Sequence, residues 1–216
     1  MSLKSHHGIF AAVLIWAGAA AAPGVAMART VAPHDLPKLS LEELGDIQVT
    51  SVSKRAEPIG HAPSAIYVIT HEDIARSGAV SIPEILRLAP NLQVAQTSAS
   101  GYVITARGLN GAPAAQNFSN KLLVLIDGRS VYSPLFSGVY WDMQDVMPQD
   151  IDRIEVISGP GATLWGANAV NGVINIITRK SDETQGGLVE AAAGGEERSL
   201  SLRYGGRLAG NLAWRA

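Results

Sequence analysis

From Ser64 onward the chain alternates short apolar segments with small or polar breaks. "SAIYVIT" (64–70) is β-branched and apolar, which predicts a strand. It runs into "THEDIARSG", where Asp73 stands three residues after Thr70 as a capping-box partner and Gly78 suits the position just past a helix end. "SIPEILRLAPN" predicts a second short helix, with Ser81 and Glu84 as an S-x-x-E box, Pro83 in the first turn and Pro90 as its stop. Ile82, Ile85, Leu86 and Ala89 share one face at helical spacing, so this helix buries one side. "NLQVAQ", "YVITARG", "KLLVLIDG", "IDRIEVIS" and "NGVINIITR" then read as short strands separated by turns. Leu122 to Ile126 is continuously apolar, as in a strand covered on both faces. Helices early and strands mostly later predict an α+β fold rather than a doubly wound sheet.

After Lys180 the pattern changes. Leu200, Leu202 and Tyr204 alternate with Ser199, Ser201 and Arg203, the period of a strand with one apolar and one polar face. Segments of about 10 residues with that alternation, divided by glycine turns, fit a membrane β-barrel. They fit an exposed hairpin of a soluble domain equally well. The chain stops at "LAWRA", inside what reads as another strand, so truncation is expected.

The first residues are patterned differently again. Lys4 precedes an uncharged stretch over 9–22, Pro23 and Gly24 break it, and Ala26, Met27 and Ala28 offer a small-x-small cleavage pattern. A cleaved export signal over 1–28 explains these features better than a membrane-spanning helix. Residues 29–62 read as a mobile arm containing Pro33, Pro37, Pro58 and few aromatics. Within it "LSLEELGDIQVTSVSKR" gives a short acidic helix signal and then an extended stretch over 47–52 with no sequence-adjacent partner. That strand can pair with an edge of its own domain or with another protein.

Composition narrows the function classes. The 216 residues contain no cysteine, which removes disulfides and thiolate metal sites. A formal net charge of −2 with scattered basic residues argues against a nucleic-acid surface. Losing 1–28 would take Lys4 from the 17 basic residues and leave all 19 acidic ones, so the mature chain is mildly acidic. The five histidines show no metal-ligand spacing, and His71, Glu72 and Asp73 suit the first turn of a helix. Neither Ser137 nor Ser158 lies in a nucleophile elbow, so enzyme chemistry is not supported and no cofactor is expected.

"SGPGATLWGANAVNGVINIIT" (158–178) invites a phosphate-loop reading. Gly159 and Gly161 fit a G-x-G-x-x-G series, but Leu164 takes the third glycine's place, and Gly166 comes two residues late. A strand follows, so no helix start is aimed at an anion. The mechanical reading is a tight strand–turn–strand unit built on Gly159, Pro160, Gly161, Gly166 and Gly172, made rigid by Leu164 and Trp165 burying apolar area. Two loops look ready to touch something: 108–120, long and polar, and 128–145, which holds Tyr132, Phe136, Tyr140 and Trp141. Those aromatics suit a recognition surface, or simply fold over the core.

"LLVLIDGRSVYSPLFSGVYWD" followed by "IDRIEVISGPGATLWGANAVNGVINIITRKS" resembles the plug of TonB-dependent outer-membrane receptors, over about residues 44–181. The resemblance implies a small mixed-sheet plug domain with short helices over 63–181. It would fill the lumen of a large transmembrane β-barrel whose first, incomplete strands are 187–216. A barrel cannot close with so few strands, which makes the chain a fragment on this view. In that family a short box near the mature N-terminus pairs with a periplasmic energy-coupling protein. Asp46, Ile47, Gln48, Val49 and Thr50 resemble it, in an arm over 29–62. The outward plug loops of relatives help bind substrate, which implicates Gln116, Asn117, Phe118, Tyr132, Phe136, Tyr140 and Trp141. Arg153 and Glu155 resemble a charged pair that meets the barrel wall; the plainer alternative is an exposed ion pair. Ser158 stands where many members carry arginine. The implied function is uptake of a scarce nutrient, such as a ferric siderophore or other metal chelate, across the outer membrane. A soluble periplasmic binding module derived from such a plug is the alternative.

Overall fold

The computed structural model describes residues 47–50, 57–61, 64–108, 121–135, 137–193, 198–208 and 212–216. Residues 1–28, read as an export signal, and Asp46, Gln116, Asn117, Phe118 and Phe136 lie outside them. In chain order the elements are β1 (Gln48–Val49), β2 (Glu57–Pro58), β3 (Ala65–Thr70), α1 (His71–Ser77), α2 (Ile82–Leu86), β4 (Leu92–Gln96) and β5 (Tyr102–Ala106). There follow β6 (Leu122–Ile126), β7 (Arg129–Ser130), β8 (Ile151–Ser158), α3 (Ala162–Trp165), β9 (Gly172–Thr178), β10 (Gly186–Ala193), β11 (Arg198–Arg207) and β12 (Ala213–Arg215).

The main sheet has the order β3-β8-β9-β6-β7. Its β6–β9 pair is parallel and the others are antiparallel, so the sheet is mixed. The uninterrupted apolar run of β6 is used on both faces. Leu122 and Val124 point into one cluster with Ile154, Val156, Ile174, Ile176 and the helix residues Ile74, Ile82, Ile85 and Leu86. Leu123 and Leu125 join a smaller cluster with Ile157, Ala169 and Val173 on the other face. Each fully buried branched side chain contributes about 1.5–3 kcal/mol by leaving water, so these two layers dominate the stability of the domain.

Local chemistry sets the element ends. At the start of α1 the Thr70 hydroxyl accepts from the Asp73 N–H at 3.2 Å, and the Asp73 carboxylate accepts from the Thr70 N–H at 3.1 Å. Gly78 closes the helix at φ 67°, a left-handed position glycine takes without strain. The expected box at α2 does not form. Ser81 makes no capping bond and its hydroxyl is buried without a partner, while Glu84 is held by Arg87 at 3.0 Å. Four residues before Pro90, the helix tightens into i→i+3 bonds from Arg87, Leu88 and Ala89 and so ends at Leu86, earlier than the sequence suggests. Asp127 and Gly128, both at positive φ, make the two-residue turn between β6 and β7. The Asp127 carboxylate also accepts from the N–H and hydroxyl of Thr178 at 2.8 and 2.9 Å, tying that turn to the end of β9.

β10, β11 and β12 form a separate antiparallel sheet. Its register sets Val189 against Leu202, Ala191 against Leu200 and Gly206 against Trp214 on one face. Leu188 faces Arg203 and Glu190 faces Ser201 on the other. The apolar face, with Val189, Leu200, Leu202, Tyr204 and Trp214, is exposed.

Candidate functional site

Two places on the main sheet gather the candidate residues. β6 and β9 start side by side, and the N–H groups of Val170 and Asn171 both donate to the Lys121 carbonyl at 3.1 and 2.9 Å. That bond pair brings the 159–171 connection to Lys121, the residue before β6. β7 runs antiparallel to β6, and the Val131 N–H continues the pairing onto Val124, so the 131–140 loop heads back to the same end. Two described connections, 159–171 and 131–140, therefore meet there beside Lys121.

The 159–171 connection is tighter than a plain turn. Gly159 sits at φ 111° and its N–H reaches the Asn171 carbonyl at 3.0 Å. A Cβ on Gly172 would lie 2.5 Å from the Ile157 carbonyl oxygen, so only glycine lets β9 pass this close to β8. The sequence suggested no helix here, yet residues Ala162–Trp165 make one turn of it, with the Trp165 N–H on the Gly161 carbonyl at 2.8 Å. A four-residue turn is too short to show helical periodicity, which is why it was not legible. The expected burial of Leu164 also fails: it is 36% exposed, and Trp165 alone packs on the Ala169 and Val173 cluster.

Of the loop aromatics, Tyr132 is half-buried and Tyr140 is exposed at this end. Trp141 is not presented. It is 8% exposed and belongs to the main core, because the 3-10 turn Trp141–Met143 points it inward against the sheet. The sequence reading missed Leu135, which is 97% exposed in the loop closed by the Ser133–Gly138 bridge. Its neighbours Pro134 and Ser137 give a turn signal, but nothing in the sequence says which way the leucine points.

The box-like segment lies on the sheet itself. Sequence reading found no partner near it, but β1 pairs with β2, Gln48 against Pro58 and Val49 against Glu57. Val49 is fully buried. The Thr50 N–H donates to both carboxylate oxygens of Glu155, at 3.0 and 3.2 Å, and its hydroxyl lies 3.3 Å from Oε1. Glu155 is fully buried on β8 and is also held by Arg153 Nε at 2.8 Å. Arg153 further contacts Asp152 at 2.6 Å. The exposed ion pair of the plainer alternative is therefore absent. Arg153 and Glu155 point to the same face because they are two residues apart on one strand. Ser158 accepts a hydrogen bond from Asn91 at 2.5 Å.

A small mixed sheet with two short helices on one face, glycine-built turns at one end and a two-residue strand docked beside a buried carboxylate is a plug-type α+β domain. Residues 58–173, over half the chain, match the family described as TonB-dependent Receptor Plug Domain, and the chain belongs to that family. Vitamin B12 transporter BtuB of Vibrio vulnificus is 29% identical over 174 residues, covering 80% of this chain and 27% of its own length. Ferric enterobactin receptor PirA of Pseudomonas aeruginosa is 29% identical over 228 residues, covering 97% of this chain and 30% of its own. The pyoverdine outer membrane receptor FpvA of Pseudomonas aeruginosa shares the fold, with a TM-score of 0.59 at 22% identity over 75% of this chain and 22% of that one. The chain thus spans under a third of the length of the curated relatives it matches. The family is one of transport receptors rather than enzymes, and its place, like this chain's, is the outer membrane.

Proposed function

We propose that the chain is the gating plug of a receptor that takes up a scarce nutrient with energy supplied from the periplasmic side. The observation that carries this reading is the docking of residues 47–50. A strand only two residues long, paired with another of two residues, is a weak element by itself. Its hold on the plug runs through the Thr50 bonds to Glu155 and the burial of Val49. Such a segment can leave and be taken up as an added strand by a coupling protein. With 29–62 as its arm and 1–28 as an export signal, the segment would stand on the periplasmic side of the plug.

The other assignments follow from that orientation. Residues 63–181 form the plug, and its loops 108–120 and 130–142 face the nutrient, with Tyr132 and Tyr140 as contacts and Leu135 as an apolar one. β10, β11 and β12, within 187–216, are the first strands of the barrel wall. Their polar face lies toward the plug and their apolar face outward, as a lipid-facing strand requires. The nutrient class is a metal chelate, a ferric siderophore or a cobalamin-like compound; the names of the relatives support that class and do not choose within it. Arg153 is the plug's wall-facing charge, held ready by Glu155 and Asp152.

The test is direct. The periplasmic domain of the coupling protein should bind the chain, and Val49→Pro, which removes a strand N–H, should reduce binding at least about tenfold. Unchanged binding in Val49→Pro would remove the box assignment. Lack of binding by the unaltered chain would remove the coupled-uptake reading.

A further inference from the structure

Asp150 closes the 3-10 turn Pro148–Asp150 and directly precedes β8. Its side chain is buried, and it takes two cations. Arg203 of β11 reaches one carboxylate oxygen and Arg215 of β12 lies 3.5 Å from the other. Arg215 also donates to the Arg179 carbonyl at 2.9 Å and approaches the Thr184 hydroxyl at 3.4 Å. The Asp150 carbonyl accepts from the Arg179 N–H at 2.8 Å. The polar face of the second sheet reaches this carboxylate, while the Asp150 carbonyl ties in the residue after β9 and Arg215 ties in Thr184 just before β10.

Close by, the two parts are not in dry contact. A cavity of about 390 Å3 separates α1 and Gln149 from Glu190, Ser199 and Ser201 on β10 and β11. Gln149 Oε1 has no hydrogen-bond partner, so this seam is polar and imperfectly filled. The attachment is thus concentrated beside a gap that water can occupy.

We propose that Asp150 is the fixed anchorage of the plug, the group that keeps β8 tied to the wall strands while the segment at 47–50 is pulled away. This rests on the reading of 47–50 as the pulled segment and of β10–β12 as wall. Glu155 on β8 holds Thr50, and Asp150, the residue before β8, holds the second sheet, five residues away. A pull on the first is delivered into the strand that the second holds. The two attachments differ in strength. The first is made of hydrogen bonds from one backbone N–H and one hydroxyl together with the burial of a single side chain, Val49. The second is a carboxylate shared by two half-buried or better-buried guanidinium groups, and removing its charge leaves those cations uncompensated.

The test uses the receptor expressed with its natural flanking sequence in the outer membrane. Asp150→Asn keeps the shape and removes the charge. It should raise vancomycin passage into cells at least about tenfold, and only where the coupling protein is active. Asp150→Glu keeps the negative charge facing both Arg203 and Arg215 and should hold passage within about twofold of the unaltered receptor. Passage in Asp150→Asn equal to the unaltered receptor, or equal with and without the coupling protein, overturns the anchorage. A folded Asp150→Glu variant as leaky as Asp150→Asn overturns it too. An unaltered receptor with no coupling-dependent uptake overturns the receptor reading and the anchorage with it, whereas normal uptake beside a silent Asp150→Asn overturns the anchorage alone.

Discussion

The two sheets are written in similar residues and placed in opposite surroundings. In the five-stranded sheet Ile154, Val156, Ile174 and Ile176 are sealed under α1 and α2, and Leu123, Leu125 and Val173 are covered on the other face. In the three-stranded sheet Val189, Leu200 and Leu202 alternate just as regularly and remain open, Leu202 at 63% exposure. Alternation reports that a strand has two faces. It does not report what stands opposite the apolar one. Burial in the first sheet comes from elements of the chain itself, while the second has no cover among the described residues, as a wall strand awaiting lipid would.

The contrast can be broken by substitution. Ile154→Ala, at a fully buried site, should lower unfolding stability by about 3–4 kcal/mol in urea titration, because the void is closed on every side. Leu202→Arg should matter only in a bilayer, where it should cost the assembled receptor about 2 kcal/mol and lower its yield in outer-membrane fractions. Gly172→Ala should cost about 2 kcal/mol, since its Cβ would meet the Ile157 carbonyl oxygen and force β8 from β9. Thr70→Ala removes half of the capping box of α1 and should cost about 1 kcal/mol, read as a shift in the same titration. Leu202→Ala, in aqueous solution, should change stability by less than about 0.5 kcal/mol. A large loss there would mean the second sheet hides that face after all.

The strands and α1 were legible because their signals are local. Thr70, Asp73 and Gly78 satisfy a helix's end groups within a few residues of chain, and β-branched runs mark β6, β8 and β9. Where the outcome hung on a distant neighbour, the sequence misled. Ser81 has the same spacing to Glu84 as a true box, yet Arg87 takes the glutamate. Trp141 reads as a loop aromatic and is core, because the sheet offers it a surface better than water. The segment at 47–50 finds its anchor 105 residues away on Glu155.

Periodicity and motif residues along the chain were enough for the α+β class, the succession of strands, the glycine turn at 158–172 and the family. All of these rest on periodicity, end chemistry or a run of motif residues that need no partner to be recognised. Folding alone sets β6 parallel to β9, brings the Thr50 N–H to Glu155 and gives Asp150 two arginines from another sheet. The physical reason is that a buried charge is tolerable only where folding has brought its counterpart, and spacing along the chain carries no record of that meeting.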